Sequence, residues 1–132
     1  RQEEFNIDMV TPGRALLQVY ERDPRPEWKA ALALLRQQLA QQPRTSEGGF
    51  WHKLRYPHQM WLDGLYMASP FLAQYAGMFD EPALYNEVVN QLKLVDRHDI
   101  KPRHGKATDE TDPLHAARAA EVTSLWRLGV AL

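Results

Sequence analysis

The sequence predicts an all-α protein, and three observations predict it. Apolar residues recur at three- and four-residue spacing through most of the chain, prolines and short polar clusters separate those runs, and no alternating apolar–polar run of strand length occurs. Thr11 is placed to cap a first helix and Pro12 to open it, and the helix runs to about Glu21 with Ala15, Leu16, Val19 and Tyr20 apolar. Asp23-Pro24-Arg25-Pro26 breaks it. A second helix, about 26–42, carries Trp28, Ala31, Leu32, Leu35 and Leu39 and stops at Gln41-Gln42-Pro43. Residues 44–56 read as extended and loop-like. A third helix begins near Pro57 and reaches at most Phe79, with an interruption expected before Pro70. Asp80-Glu81-Pro82 opens a fourth, about 81–98, with Leu84, Tyr85, Val88, Val89, Leu92 and Val95 apolar. Periodicity then lapses until a last helix, about 113–131, containing Leu114, Ala117, Val122, Leu125, Trp126, Leu128 and Val130. The organisation is one domain: a helical segment over 1–98 and a divergent loop-plus-helix segment over 99–132. Helix pairs of these lengths fit either a bundle or a toroid of hairpins.

Composition excludes several function classes. The chain has 132 residues, 44% hydrophobic and 25% charged, as expected of one globular domain. A net charge of −1 provides no electrostatic footprint for nucleic acid or an anionic membrane. The absence of cysteine rules out disulfides and thiolate metal sites. No run of about 18 apolar residues is present to span a bilayer. The sequence begins with Arg1 rather than a methionine, so the lack of a visible targeting segment carries no weight.

The most informative stretch is Gly48-Gly49-Phe50-Trp51-His52-Lys53 with Met60-Trp61-Leu62-Asp63-Gly64-Leu65-Tyr66-Met67. Trp61, Leu62, Leu65, Tyr66, Met67, Phe71 and Leu72 cover most of a helix circumference, and a helix apolar all round is buried. Asp63 is then a buried acid whose carboxyl holds its proton toward neutral pH, ready to deliver it. A core aspartate capping a neighbouring helix or pairing with Arg55 accounts for the same pattern equally well. Asp8, taken alone, reads as a cap for the helix opening at Pro12. His52-Lys53 reads as a partly exposed loop pair, and Arg14 as a solvated or ion-paired helix residue. Trp51, Trp61 and Tyr66 are core side chains more readily than sugar platforms.

Three blocks together are more specific than any one of them. Asn6-Ile7-Asp8-Met9-Val10-Thr11-Pro12-Gly13-Arg14, Gly49-Phe50-Trp51-His52-Lys53 through Tyr56-Pro57, and Gln59-Met60-Trp61-Leu62-Asp63-Gly64-Leu65-Tyr66-Met67 through Pro70-Phe71-Leu72 resemble, in order and spacing, the unsaturated rhamnogalacturonyl hydrolases of glycoside hydrolase family 105. They are more distantly similar to the unsaturated glucuronyl hydrolases of family 88. The resemblance covers residues 5–98. Beyond that the pattern departs, with His104-Gly105 and Trp126-Arg127 as the echoes of later family elements.

The resemblance implies an (α/α)6 barrel, of which this chain is expected to be an internal piece, truncated at both ends. It also implies hydration of the C4=C5 double bond in a 4,5-unsaturated uronic acid at the non-reducing end of a pectin-derived lyase product. In that reading Asp63 is the general acid/base, and Asp8 is the second essential carboxylate, which positions substrate and influences the protonation of Asp63. His52 and Lys53 face the uronate, Trp51, Trp61 and His104 complete the substrate contacts, and Gly64 leaves room beside the acid. Both carboxylates are expected on one concave surface with His52 and Lys53 along its rim.

No cofactor and no metal is expected. His98, Asp99, His104, Asp109, Glu110, Asp112 and His115 cluster in sequence, but their spacing fits no zinc pattern. Asp109 to Asp112 suit a helix N-terminus instead. The expected partner is an unsaturated uronic-acid-containing oligosaccharide, in a bacterial cytoplasm, with neither nucleic acid nor membrane. Two alternatives stand beside it: a family 88-like hydrolase acting on other lyase products, and a non-catalytic helical remnant or interaction module. An open partial barrel is also expected to self-associate through exposed apolar helix faces.

Overall fold

The computed structural model describes residues 2–99, with side chains over 3–97. Four α-helices and two short 3-10 turns make up the described part: α1 is Gly13–Arg22, α2 Pro26–Gln41, α3 Leu62–Phe79 and α4 Ala83–Asp99, preceded by 3-10 turns at Gln2–Glu4 and Ile7–Val10. Among the described residues no strand forms, and Arg44 and Phe50 make an isolated antiparallel bridge that closes the turn between them. The helices form two hairpins, α1 with α2 and α3 with α4, which meet through α1 and α3. Over the described residues the all-helical expectation holds, and two packed helical hairpins are what a part of an (α/α)6 barrel requires; the helix expected over 113–131 lies outside the described residues.

The helix starts differ from their sequence reading in two places. Thr11 does not cap α1. It sits in helical conformation at the end of the Ile7–Val10 turn and donates its backbone N–H to the Asp8 carbonyl, and Pro12 is the N-cap without a side-chain cap bond. A capping side chain needs extended backbone at its own position, and here one helical turn runs straight into the next. α3 begins at Leu62, not Pro57. Residues 53–60 are consumed by tight turns, one of which puts His58 at φ 61.

α3 also runs unbroken through Pro70. The proline removes the donor that would serve the Tyr66 carbonyl, one turn back. Tyr66 lies on the exposed side of the helix, 40% accessible, so water reaches that side, while the Pro70 ring itself is buried in the packed side. α2 behaves as read: Pro26 is its first residue and Arg25 before it is extended. α3 ends with Asp80 in the left-handed conformation, its N–H donating to the Ala76 carbonyl.

The core is continuous across both hairpins. Leu17 of α1, Leu32 and Leu39 of α2, Phe71, Leu72 and Tyr75 of α3, and Leu84 and Val88 of α4 form one buried cluster, joined by Ile7, Val10 and Phe50 from the connecting segments. Ile7 and Val10 flank Asp8, so the turn that carries this acid is anchored by its own apolar side. No helix among the described residues is long and apolar enough to cross a membrane.

Candidate active site

Three segments distant in sequence converge at one point. The Ile7 N–H donates to the His52 carbonyl at 3.1 Å. A Cβ placed on Gly64 would lie 2.7 Å from His52 Nδ1 and 3.4 Å from Ile7 Cδ1. Each of these residues adjoins a charged one: Ile7 adjoins Asp8, His52 adjoins Lys53, and Gly64 adjoins Asp63. Gly64 therefore makes room for the His52 ring, rather than beside the acid as the resemblance implied.

Asp8 is presented by the Ile7–Val10 turn, which Asn6 caps by accepting the Asp8 N–H on its side-chain oxygen at 3.0 Å. Its carboxylate meets Lys53 Nζ at 2.5 Å and His52 Nε2 at 3.3 Å. The contact to His52 is close but too poorly aligned for a hydrogen bond, and among the described residues neither ring nitrogen has a hydrogen-bond partner. Asp8 is thus an ion-paired acid and not the helix cap that its sequence position alone suggests. Partial desolvation pushes its carboxyl up, but the Lys53 ammonium, His52 and the Asn6 side chain outweigh this and hold it below the ordinary carboxylate value.

His52 is not a rim residue. It is 1% exposed, packed between Gly64 and the Trp61 ring, whose plane lies 12° from its own at a centroid separation of 4.4 Å. Burial holds its pKa below the ordinary histidine value. Lys53 acts in the same direction, while the negative charges of Asp8 and Asp63 oppose it. The imidazole is accordingly neutral at pH 7, and it senses both carboxylates.

Asp63 differs most from its sequence reading. It is exposed, in the first turn of α3, and not buried in an apolar shell. The side chains that suggested all-round burial divide differently: Leu65, Phe71 and Leu72 are buried, Trp61, Leu62 and Met67 are half-buried, and Tyr66 is exposed. Neither core alternative describes it either, since among the described residues it makes no capping bond and no ion pair with Arg55. At a helix N-terminus a carboxylate also meets the positive end of the helix dipole.

The aromatic residues are mostly committed to packing. Trp61 contacts His52 and also Tyr56, at 5.1 Å and 25°, and its indole N–H donates to Gln59 Oε1 at 3.0 Å. Trp51 packs against His58 at 4.6 Å, and its indole N–H is buried with no partner among the described residues. Lys53 lies 5.9 Å from the Trp61 ring and borders an open hollow of about 570 Å³ lined by Glu3, Glu4, Asn6, Leu54, Arg55 and Tyr56. His104 lies outside the described residues, as do Asp109, Glu110, Asp112 and His115. Among the described residues no group of three or more histidine, aspartate and glutamate side chains is arranged to hold a metal.

Three glutamines escaped the sequence reading. Gln38 of α2, Gln42 at its C-cap and Gln91 of α4 are 3%, 2% and 2% exposed, and each bonds to backbone of the connecting segments. The signal was present: Leu32, Leu35, Gln38, Leu39 and Gln42 continue one helical stripe, as do Leu84, Val88, Gln91 and Val95. An uncharged polar residue on a buried stripe must find a partner.

With that geometry in place, comparison with known proteins is specific. The family model described as Glycosyl Hydrolase Family 88 matches residues 1–126. The match thus runs past residue 98 into the segment whose pattern departs from the three blocks. A solved structure from C. acetobutylicum ATCC 824, described as a glycoside hydrolase from family 105, superposes with a TM-score of 0.71 at 38% identity. It covers 74% of this chain, and this chain covers 27% of that one, so the chain spans about a quarter of the length of the enzyme it matches. A family model spanning nearly the whole sequence and a solved relative with the same helical arrangement lead to one assignment: the chain belongs to the glycosyl hydrolases of family 88, with a close structural counterpart in family 105.

Proposed function

We propose that the three converging segments form one side of a site that hydrates the C4=C5 double bond of a 4,5-unsaturated uronic acid, removing it from the non-reducing end of a pectin-derived, rhamnogalacturonan-type lyase product. The observation that supports this best is the meeting of Ile7, His52 and Gly64, which brings the segments bearing Asp8, Lys53 and Asp63 to a common place. In this reading Asp63 gives a proton to C4 and water adds at C5. The proton that the water loses returns to the carboxylate, so the acid is regenerated. The product is a hemiketal that opens and releases the next sugar. Lys53 has one of its three N–H donors directed at Asp8, which leaves others for the uronate carboxylate bordering the 570 Å³ hollow. Asp8 keeps Lys53 oriented and its charge balanced.

The experiment is Asp63→Asn in an enzyme carrying the whole barrel, followed through the ultraviolet absorbance of the double bond. An amide keeps the shape but cannot deliver the proton, so turnover is expected to fall roughly 10²–10⁴-fold with substrate binding largely retained. Near-normal turnover in this variant refutes the assignment of Asp63. A second reading, an unsaturated glucuronyl hydrolase acting on other lyase products, is favoured by the family 88 description of the matching model. Preference for glycosaminoglycan-derived over rhamnose-linked disaccharides selects it.

A further inference from the structure

The two segments that carry Asp8 and His52-Lys53 have little regular structure of their own, yet their side chains meet at ion-pair distance. Something must set their mutual register, and the buried glutamines at the C-terminal end of α2, Gln38 within it and Gln42 just past it, are placed to do so. Gln38 lies in the last turn of α2 and Gln42 is the residue that caps its end, four positions on, and both side chains reach the Phe5–Asn6 segment. Gln38 Nε2 donates to the Asn6 carbonyl at 2.9 Å. Gln42 Nε2 donates to the Phe5 carbonyl at 2.6 Å and to the Trp51 carbonyl at 2.8 Å. One amide thus bridges both segments, at the residue before Asn6 in one and the residue before His52 in the other. The direct backbone bonds Ile7 N–H to His52 O and Leu54 N–H to Glu4 O complete a narrow ladder beside it.

The bridged backbone is not relaxed. Phe5 has φ 41, a left-handed conformation costly for a bulky side chain. That conformation turns the chain into the Ile7–Val10 helix, and its carbonyl is one that Gln42 holds. The arrangement persists because the surroundings over-determine it.

We infer that Gln42, assisted by Gln38, is a positioning residue: its side-chain amide clamps the Phe5–Asn6 and Trp51 carbonyls together and so sets the Asp8–His52–Lys53 geometry. Neither glutamine touches a reacting atom. Their catalytic consequence rests on the function proposed above, but the clamp itself is read on the cluster without substrate, so the two fail separately.

The test compares Gln42→Met, Gln38→Met and, as control, Gln91→Met, each followed by NMR titration of the Asp8 carboxyl and the His52 ring, with circular dichroism to establish folding. Methionine keeps length and apolar burial but cannot donate. Gln91 is equally buried and equally bonded, but to Gly48, Phe50 and Glu87 rather than to the residues bearing Asp8. In Gln42→Met the Asp8 and His52 titrations are both expected to move up toward ordinary values, as the ion pair with Lys53 loosens and water reaches the imidazole. In Gln38→Met the Asp8 titration is expected to move and His52 less so. Gln91→Met is expected to leave Asp8 where it is. Folded Gln42→Met and Gln38→Met proteins with unchanged titrations overturn the clamp, and so does a Gln91→Met protein that moves Asp8 as far as they do. If Gln42→Met does not fold, the contrast between Gln38→Met and Gln91→Met at Asp8 decides by the same criterion.

Discussion

At the scale of single residues, His52 has the most constrained environment in the site. Its folded-state pKa is depressed by burial, so below the ordinary imidazole value of about 6.5 the unfolded chain binds a proton that the folded protein resists. Stability is therefore fully present above that pH and is expected to fall as pH drops from 7 toward 5. Asp8 acts in the same direction at lower pH. Its depressed carboxyl pKa stabilises the fold above about 3.9, and that contribution disappears as pH falls through the folded-state value. Urea unfolding at pH 7.5, 5 and 3.5 checks both limbs, and His52→Gln is expected to flatten the first and only weaken the second, because Lys53 and Asn6 still hold the Asp8 carboxyl down. Gly64 tests the packing on the other side of the same ring. The Cβ of Gly64→Ala would fall 2.7 Å from His52 Nδ1, and the ring is backed by Trp61 and cannot retreat freely. A loss of about 1–3 kcal/mol is expected from the overpacking, measured as a shift in urea midpoint. A neutral substitution would mean that the His52 ring is less firmly held than its stacking indicates.

At the scale of elements, the helix ends matter more than the helix interiors. α3 stops at Asp80 because the chain turns left-handed there, at φ 54, and Glu81 continues the turn by donating its N–H to the Ala76 carbonyl. A residue with a Cβ gives up roughly 1–2 kcal/mol in that conformation, partly offset by the extra unfolded-state freedom of a glycine. Asp80→Gly is expected to stabilise the protein by about 0.5–1 kcal/mol, read from thermal unfolding. An unchanged or lower melting temperature would show that the aspartate side chain supports the turn in another way. Glu81 in turn pairs with Arg36 of α2 at 3.1 Å, tying this corner to the first hairpin. The pair is partly exposed and adds little stability by itself.

At the scale of the whole molecule, what was legible in the sequence follows from the range of the forces involved. Helix existence was legible because apolar spacing is local: the stripes through Leu32 and Leu39 and through Leu84 and Val88 are both buried as their periodicity requires. The uninterrupted course of α3 through Pro70 was not, because burial of the ring and access of water to the Tyr66 side are tertiary facts. The resemblance brought Asp8 and Lys53 to one cleft, but their direct ion pair was not legible, since forty-odd intervening residues give no local cue. The exposure of Asp63 was missed because apolar residues around a helix report what it packs against, and the first turn here packs on one side only. Val19, Leu34, Tyr66, Tyr85 and Val89 are exposed large apolar side chains of the described part. The 132-residue chain is accordingly expected to self-associate, read by light scattering across a dilution series. It is also expected to show little loss of double-bond absorbance, because small misplacements of sugar and water already cost large factors in rate. A monomer with vigorous turnover would contradict both expectations.

The narrow ladder between the Glu4–Ile7 and His52–Leu54 segments also has a kinetic meaning. Its hydrogen bonds join residues far apart in sequence, whereas each helical hairpin is held by neighbours along the chain. A few bonds closing a long loop can open without unfolding the hairpins on either side. The Ile7 amide is therefore expected to exchange with solvent deuterium by local opening, well before the amides in the middle of α3, and with little sensitivity to low urea. The Asp8–His52–Lys53 cluster would then be the part of this fold that breathes, while the helices that frame it stay closed.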